Sequence, residues 1–117
     1  EYIRKLIFGI DDNLGVTCSE ALPYIVEAST DANGQVMATS STSQRQYPVT
    51  LYRGLDTRSA PKFGTDANGL ALSGVGTGAH QPIALSYDFG QRDEYYGYYK
   101  QLAEGTYTAS VTFTVTY

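Results

Sequence analysis

The side chains best suited to nucleophilic or acid–base chemistry are few in this sequence. His80 is the only histidine and Cys18 the only cysteine among 117 residues. Cys18 lies between Thr17 and Ser19 in a strand-like stretch, where no cationic neighbour in sequence would stabilise a thiolate. His80 stands in a glycine-rich segment without the pattern of a serine hydrolase or a zinc protease. We therefore expect a surface-loop histidine, no catalytic residues and no enzyme activity.

Two acidic pairs and one glycine-rich stretch are the remaining candidates for chemistry. Asp11-Asp12 and Asp93-Glu94 are adjacent carboxylates, which point to opposite faces of a strand or to water from a turn. The stretch GVGTG at 74–78 lacks the strand-to-helix context and the lysine of a phosphate-binding loop. No metal site and no cofactor are predicted.

Cys18 has two interpretations, which stay open at this point. A lone cysteine in a strand pattern is most often a small buried hydrophobic residue. Alternatively, it is half of a disulfide whose other cysteine lies outside this sequence, because the chain holds no second cysteine.

A tyrosine cluster is the best candidate for a binding surface. Tyr95, Tyr96, Tyr98 and Tyr99 surround one glycine, and their flat rings with polar tips would suit a glycan or an adhesive contact. The competing interpretation places two of the rings in the core and two on the outer face of a strand. The first interpretation would make the chain a tip adhesin or a glycan-binding module.

The composition indicates a sheet protein of one domain, covering residues 1–117. Only 17% of the residues are charged, and the chain has 11 tyrosines and 12 glycines, so neutral polar residues must cover the outside. A formal net charge of −4 and scattered cations argue against nucleic acid as a partner. No apolar run approaches the length of a membrane span, so we expect no direct membrane insertion.

Short alternating segments separated by turn signals predict about seven antiparallel strands, arranged as a sandwich or barrel. The Asn-Gly pair of DANG at 31–34 predicts a tight hairpin that pairs 35–41 back onto 23–30. A second DANG at 66–69 is a second use of the same turn chemistry. The segment 91–104 is expected to be a loop or a short helical turn.

The segment 105–117 alternates apolar and hydroxyl residues without a slip, which predicts one long strand. Its apolar face should line a groove, and its far edge should serve as an assembly edge for another polypeptide. The residues predicted to form this groove and edge are Tyr107, Val111, Phe113, Val115 and Tyr117.

The terminal segment resembles the end of the spore-coat-protein-U-like family, the pilin domains of archaic (Csu-type) chaperone-usher pili. Other stretches agree with that family in order and spacing and, with the ending, cover most of residues 8–117. They are Phe8-Gly9, residues 15–18, residues 23–26, Leu51-Tyr52, residues 76–78 and residues 105–107.

This resemblance implies an incomplete immunoglobulin-like β-sandwich that lacks its final strand. A donor strand from another subunit would complete it, after a periplasmic chaperone and an outer-membrane usher have guided assembly. The implied product is a head-to-tail homopolymer of pilin subunits, an extracellular cell-surface pilus for attachment and biofilm formation. The sequence does not distinguish a shaft subunit from a tip subunit.

Two features of the family are not found before Phe8. The family has an upstream cysteine that pairs with the one matching Cys18, and a donor segment before that cysteine. Either this sequence begins after the first strand, or the subunit diverges there, or its true start has been removed. We favour the interpretation that a segment is missing, because EYIRKLI would make a poor donor strand.

Overall fold

The computed structural model of the protein describes residues 8–11, 14–56, 59–89, 92–93, 98–99 and 105–117. Within these ranges the fold is all-β and antiparallel, without an α-helix, which confirms the predicted class. A single turn of 3₁₀ helix covers Asp66–Asn68. The strands are β1 (Phe8–Asp11), β2 (Gly15–Thr17), β3 (Pro23–Ala28), β4 (Gln35–Ser40), β5 (Gln46–Arg53), β6 (Leu72–Val75), β7 (His80–Pro82), β8 (Leu85–Asp88), β9 (Arg92–Asp93), β10 (Tyr98–Tyr99), β11 (Tyr107–Thr108) and β12 (Phe113–Thr116).

Two sheets carry most of the fold. One has five strands in the order β1-β8-β5-β4-β11, and the other has three in the order β12-β3-β6. Two further pairs, β2-β7 and β10-β9, are two-stranded. Together the antiparallel sheets curl into a half-barrel.

A two-stranded ribbon connects the two sheets along one side. Its ladder runs from Phe8 opposite Asp88, through β2 and β7, to Val26 opposite Leu72. Backbone hydrogen bonds join the ladder between the strands, with N···O distances of 2.8 Å from Ile83 to Leu14 and 2.9 Å from Gly76 to Leu22.

The register of this ribbon shifts twice. Between Asp11 and Gly15 there are four steps along the chain, against three between their partners Leu85 and Pro82. Between Thr17 and Pro23 there are six steps, against five between their partners His80 and Val75. An extra residue on one strand bends the ladder and increases its twist. These two shifts account for the passage of the ribbon from one sheet to the other.

The core lies between the sheets and is built from the inward residues of both. Its buried members are Val16, Tyr24, Val26, Ala28, Ala38, Val49, Leu51, Phe63, Ile83 and Leu85. Phe63 is fully buried although it lies outside the strands. Its N–H donates to the Leu51 carbonyl (2.8 Å), and the Ala28 N–H donates to the next carbonyl, that of Gly64 (3.0 Å). The segment 62–64 therefore bridges one sheet to the other.

The hairpin predicted at the first DANG is wrong. β3 and β4 belong to different sheets, and β4 pairs with β5 and β11 instead of β3. The turn itself forms: the Asp31 Oδ1 accepts hydrogen bonds from the N–H groups of Asn33 (2.8 Å) and Gln35 (2.9 Å). Gly34 has φ +72°, whereas Asn33 has no positive φ, so the turn is not the mirror-image type that a two-residue hairpin needs.

The second DANG adopts the same local structure. Gly69 has φ +72°, as Gly34 does. In both cases the glycine N–H donates to the carbonyl of the Asp three residues earlier, at 3.1 Å for Gly34 and 2.9 Å for Gly69. The tetrapeptide therefore encodes a turn that ends in a left-handed glycine, wherever the chain goes next.

Two further expectations are corrected. The segment 105–117 is not one strand: β11 pairs with β4 of the five-stranded sheet, and β12 pairs with β3 of the other. Residues 109–112 between them cross from sheet to sheet without strand structure. Within 91–104, the described residues form the short β9–β10 pair, with Arg92 opposite Tyr99, and are not a helical turn.

Candidate functional site

The candidate site is the outer edge of β12, which is the outermost strand on one side of the three-stranded sheet. Within the part of the chain that the structure describes, β12 has a neighbour only on the β3 side. Just before β12, the Ser29 N–H donates to the Thr112 carbonyl (3.0 Å). In an antiparallel pair such groups alternate in direction, so the backbone groups of Phe113 and Val115 point to the free edge. They are available to another strand.

The side chains of the terminal segment alternate between the core and the surface. Val111, Phe113 and Val115 are half-buried and pack against the core, as Tyr107 does. Thr108, Ser110, Thr112, Thr114 and Thr116 are all exposed. Tyr117 is 67% exposed, although it continues the inward-facing series. The inner face of this edge is thus apolar and only partly covered.

Three aromatic contacts connect the terminal segment with other parts of the domain. The rings of Phe113 and Phe63 meet edge to face, with centroids 5.6 Å apart. Tyr107 makes similar contacts with Phe89 (5.1 Å) and Tyr47 (5.8 Å). Burial, and to a smaller extent the nearby Tyr47, raise the pKa of Tyr107 above its usual value. A hydrogen bond with Ser40 and the charge of Arg45 act in the opposite direction but do not cancel this rise.

An open cleft of about 640 Å³ lies at the end of the three-stranded sheet. All three strands contribute to it, and none of its residues carries a charge. They are Pro23, Tyr24, Ile25, Ser73, Gly74, Val75, Thr116 and Tyr117. Val75 (54% exposed) and Tyr117 (67%) are among the large hydrophobic residues that the surrounding structure leaves uncovered.

The overall dimensions agree with an open fold. The Cα radius of gyration is 15.8 Å, and the molecule measures 53 × 27 × 23 Å. A compact chain of this length would have a radius of gyration of about 13 Å. The molecule is therefore elongated, and large apolar side chains such as Val75 and Tyr117 stay exposed at its edges.

Cys18 and His80 both lie on the ribbon, but each side chain forms its hydrogen bond with a different residue. Cys18 is buried with a free thiol, and its Sγ donates to the Glu20 carbonyl at 3.2 Å. His80 is exposed, and its Nδ1 lies 3.2 Å from the Thr17 hydroxyl. A methyl group on Gly76 would collide with the Glu20 carbonyl oxygen and with the Cys18 side chain, so the absence of a side chain at Gly76 makes room for both groups of the hydrogen bond between them.

The tyrosine cluster falls mostly outside the described residues. Tyr95 and Tyr96 are not described, and for Tyr98 and Tyr99 the structure gives the backbone of β10. The choice between a contact surface and core packing stays a prediction. Among the described residues there is no group of three acidic, histidine or cysteine side chains that could hold a metal ion, and no helix long and apolar enough to cross a membrane.

Sequence reasoning missed two parts of this site. Phe63 stands between Lys62 and Gly64 in a segment without hydrophobic periodicity, so nothing local indicated that it would be fully buried. The cleft also went unpredicted, because it joins residues about fifty and ninety positions apart in the chain. The alternation of apolar and hydroxyl residues in the terminal segment is the one feature of the sequence that indicates this edge.

Comparisons with protein-family models, with curated proteins and with solved structures give no match to this chain.

Proposed function

We propose that this chain is a structural subunit of an extracellular chaperone-usher type pilus, completed by a donor strand from another subunit. The observation that carries the proposal is the free edge of β12, whose inward side chains Phe113 and Val115 are only half-buried. A strand added beside β12 would pair with the backbone of these residues and cover the apolar face. The sequence resemblance to archaic chaperone-usher pilins supplies the class of partner.

Physical magnitudes support a stable complex. Burying one large apolar side chain fully contributes about 1.5–3 kcal/mol. Val111, Phe113 and Val115 still have a minor part of that surface exposed, and Tyr117 about two thirds of it, so covering all four would contribute roughly 2–5 kcal/mol. This is a sizeable fraction of the whole stability of a small domain, about 5–15 kcal/mol. The subunit should be markedly more stable with a donor strand than without one.

Assembly through this edge is directional. The accepting edge is β12, and the donor would come from a different part of the next subunit, so the contact does not close on itself. Such a contact propagates as a filament, and a cell-surface filament suits the proposed role in surface attachment and biofilm formation. Export through the periplasm, with a chaperone that covers the edge until assembly, belongs to the same proposal.

A substitution at the edge tests this proposal directly. Val115→Pro removes the N–H that points to the free edge, while the backbone groups that bond β3 belong to Thr114 and Thr116. We expect this variant to fold but to be absent from filaments purified from the source cells, whereas Val115→Ile is incorporated. Incorporation of Val115→Pro at the wild-type level would overturn the proposal.

A further inference from the structure

We propose that the opposite edge of the same sheet, strand β6, pairs with β6 of a second copy of this chain around a two-fold axis. This inference goes beyond the proposed function, because it uses a different edge and makes a lateral contact. Within the described residues, β6 has β3 as its only neighbour. The three-stranded sheet is therefore open on both sides.

The backbone groups of β6 are arranged for such a contact. The Gly76 N–H donates to the Leu22 carbonyl at 2.9 Å, and the antiparallel ladder alternates from there. The backbone N–H and C=O groups of Gly74 thus point to β3, and those of Ser73 and Val75 point away from the sheet. Pro23, which has no N–H to donate, stands opposite Val75, as the alternation requires.

Repulsion between two copies of like charge is smallest at this edge. The chain carries a net charge of −4, so two copies repel each other over most approaches. The stretch 73–79 and the residues that line the cleft contain no charged side chain. Edge strands are commonly protected by lysine, proline or a bulge, and β6 has no such protection. The edge offers no charge for a differently charged partner to recognise.

Antiparallel pairing about a two-fold axis at Gly74 fits these groups best. Ser73 of one copy would stand opposite Val75 of the other, with four backbone hydrogen bonds between the copies. The two Gly74 residues would meet at the axis, where opposite residues approach most closely and where neither has a side chain. Pairing β6 with β12 of a second copy, with the core faces of both sheets on the same side, would instead be parallel, because both strands run antiparallel to β3.

The contact is small, so a single pair of domains should associate weakly. Four-residue edges bury far less than the roughly 1,200–2,000 Å² of stable complexes. In a filament, however, the same contact repeats at every subunit, and linked weak contacts add up to a strong one. The β6 edge would then hold neighbouring filaments side by side.

Two measurements on the full chain test this inference. In sedimentation equilibrium at concentrations up to about 1 mM, we expect a reversible dimer, weakened at least tenfold by Val75→Lys and changed less than about twofold by Val75→Thr. Absence of self-association over this range, or equal effects of the two substitutions, would overturn the inference.

The second measurement locates the contact by spin labels on a Cys18→Ala background. Labels at Ser73→Cys should lie close together across the dimer, whereas labels at Thr116→Cys should be separated by five strand spacings, about 24 Å of sheet. The reverse order would show that β12 edges pair instead and would refute the inference. Because Val115→Pro does not alter β6, a failure of strand donation leaves this dimer intact, and the two proposals fail separately.

Discussion

The ring of Phe63 meets the ring of Phe113 edge to face, with centroids 5.6 Å apart and an angle of 67° between their planes. Phe63 comes from a loop-like segment and is fully buried, whereas Phe113 comes from the edge strand β12 and is half-buried. The pair thus joins the interior of the domain to its candidate assembly edge. A change on either side should affect both stability and assembly.

Loss of Phe63 should destabilise the whole domain. Phe63→Ala leaves a cavity between the two sheets, and such substitutions cost about 3–5 kcal/mol. Urea unfolding followed by tyrosine fluorescence would measure the loss. The neighbouring Lys62→Ala serves as the control, because Lys62 is exposed and its change should stay within about 0.5 kcal/mol. Similar effects of the two would contradict the role assigned to Phe63.

A charge on the inner face of β12 should prevent assembly. Phe113→Asp places a carboxylate against the ring of Phe63 and should cost several kcal/mol, about 3 or more. Thr112→Asp is the matched control, one residue away on the exposed face and opposite Ser29. Thr114 is less suitable, because it stands opposite Glu27. Electron microscopy of filaments would show the outcome, and equal tolerance of both changes would exclude this edge.

The two DANG turns offer a pair of substitutions with equal backbone strain and different surroundings. Gly34 and Gly69 both have φ +72°, so an alanine at either position should cost about 1–2 kcal/mol. At Gly69 the added methyl meets nothing within 4 Å, but at Gly34 it would lie 3.0 Å from the Lys62 Cβ and 3.2 Å from the Phe63 carbonyl oxygen. We therefore expect Gly34→Ala to lower the free energy of unfolding more than Gly69→Ala. Equal losses would show that the segment 62–64 does not pack as described.

The raised pKa of Tyr107 predicts a loss of stability in alkali. The folded state holds the proton more tightly than the unfolded chain, so the stabilisation is complete below the usual tyrosine pKa of about 10. It is lost as the pH rises through the higher pKa of the folded state. Tyr107→Phe cannot ionise and should lose less stability between pH 9 and about 11 than the wild type. Thermal unfolding midpoints across this range would test it, and parallel curves for the two proteins would contradict it.

Local chemistry predicted the turns but not the partners of the strands. Asn33-Gly34 signals a left-handed glycine, and the turn forms with the aspartate hydrogen bonds that this sequence favours. Whether the chain then stays in one sheet or crosses to the other depends on which residues cover Val26 and Ala38 from far away. The hairpin was therefore a reasonable local inference that long-range packing overrides.

The terminal segment shows the same limit. Its unbroken alternation predicts a strand, and the burial of Phe113 and Val115 follows that alternation. The break at residues 109–112 is not visible in the pattern, because the alternation of apolar and hydroxyl residues continues through it. The free edge itself is a property of the sheet order, which a single sequence does not specify.

The pairing of β12 with β3 also sets the order of events when the chain folds. Phe113 stands opposite Ala28, eighty-five positions away along the sequence, and Leu72 stands opposite Val26. Contacts of such separation form late, since the chain must first lose the entropy of closing large loops. During synthesis β3 therefore waits with both of its edges unpaired until residues 72–75 and then 113–116 have emerged. A nascent chain in that condition is prone to aggregation, and its yield should depend on how quickly synthesis reaches the last strand.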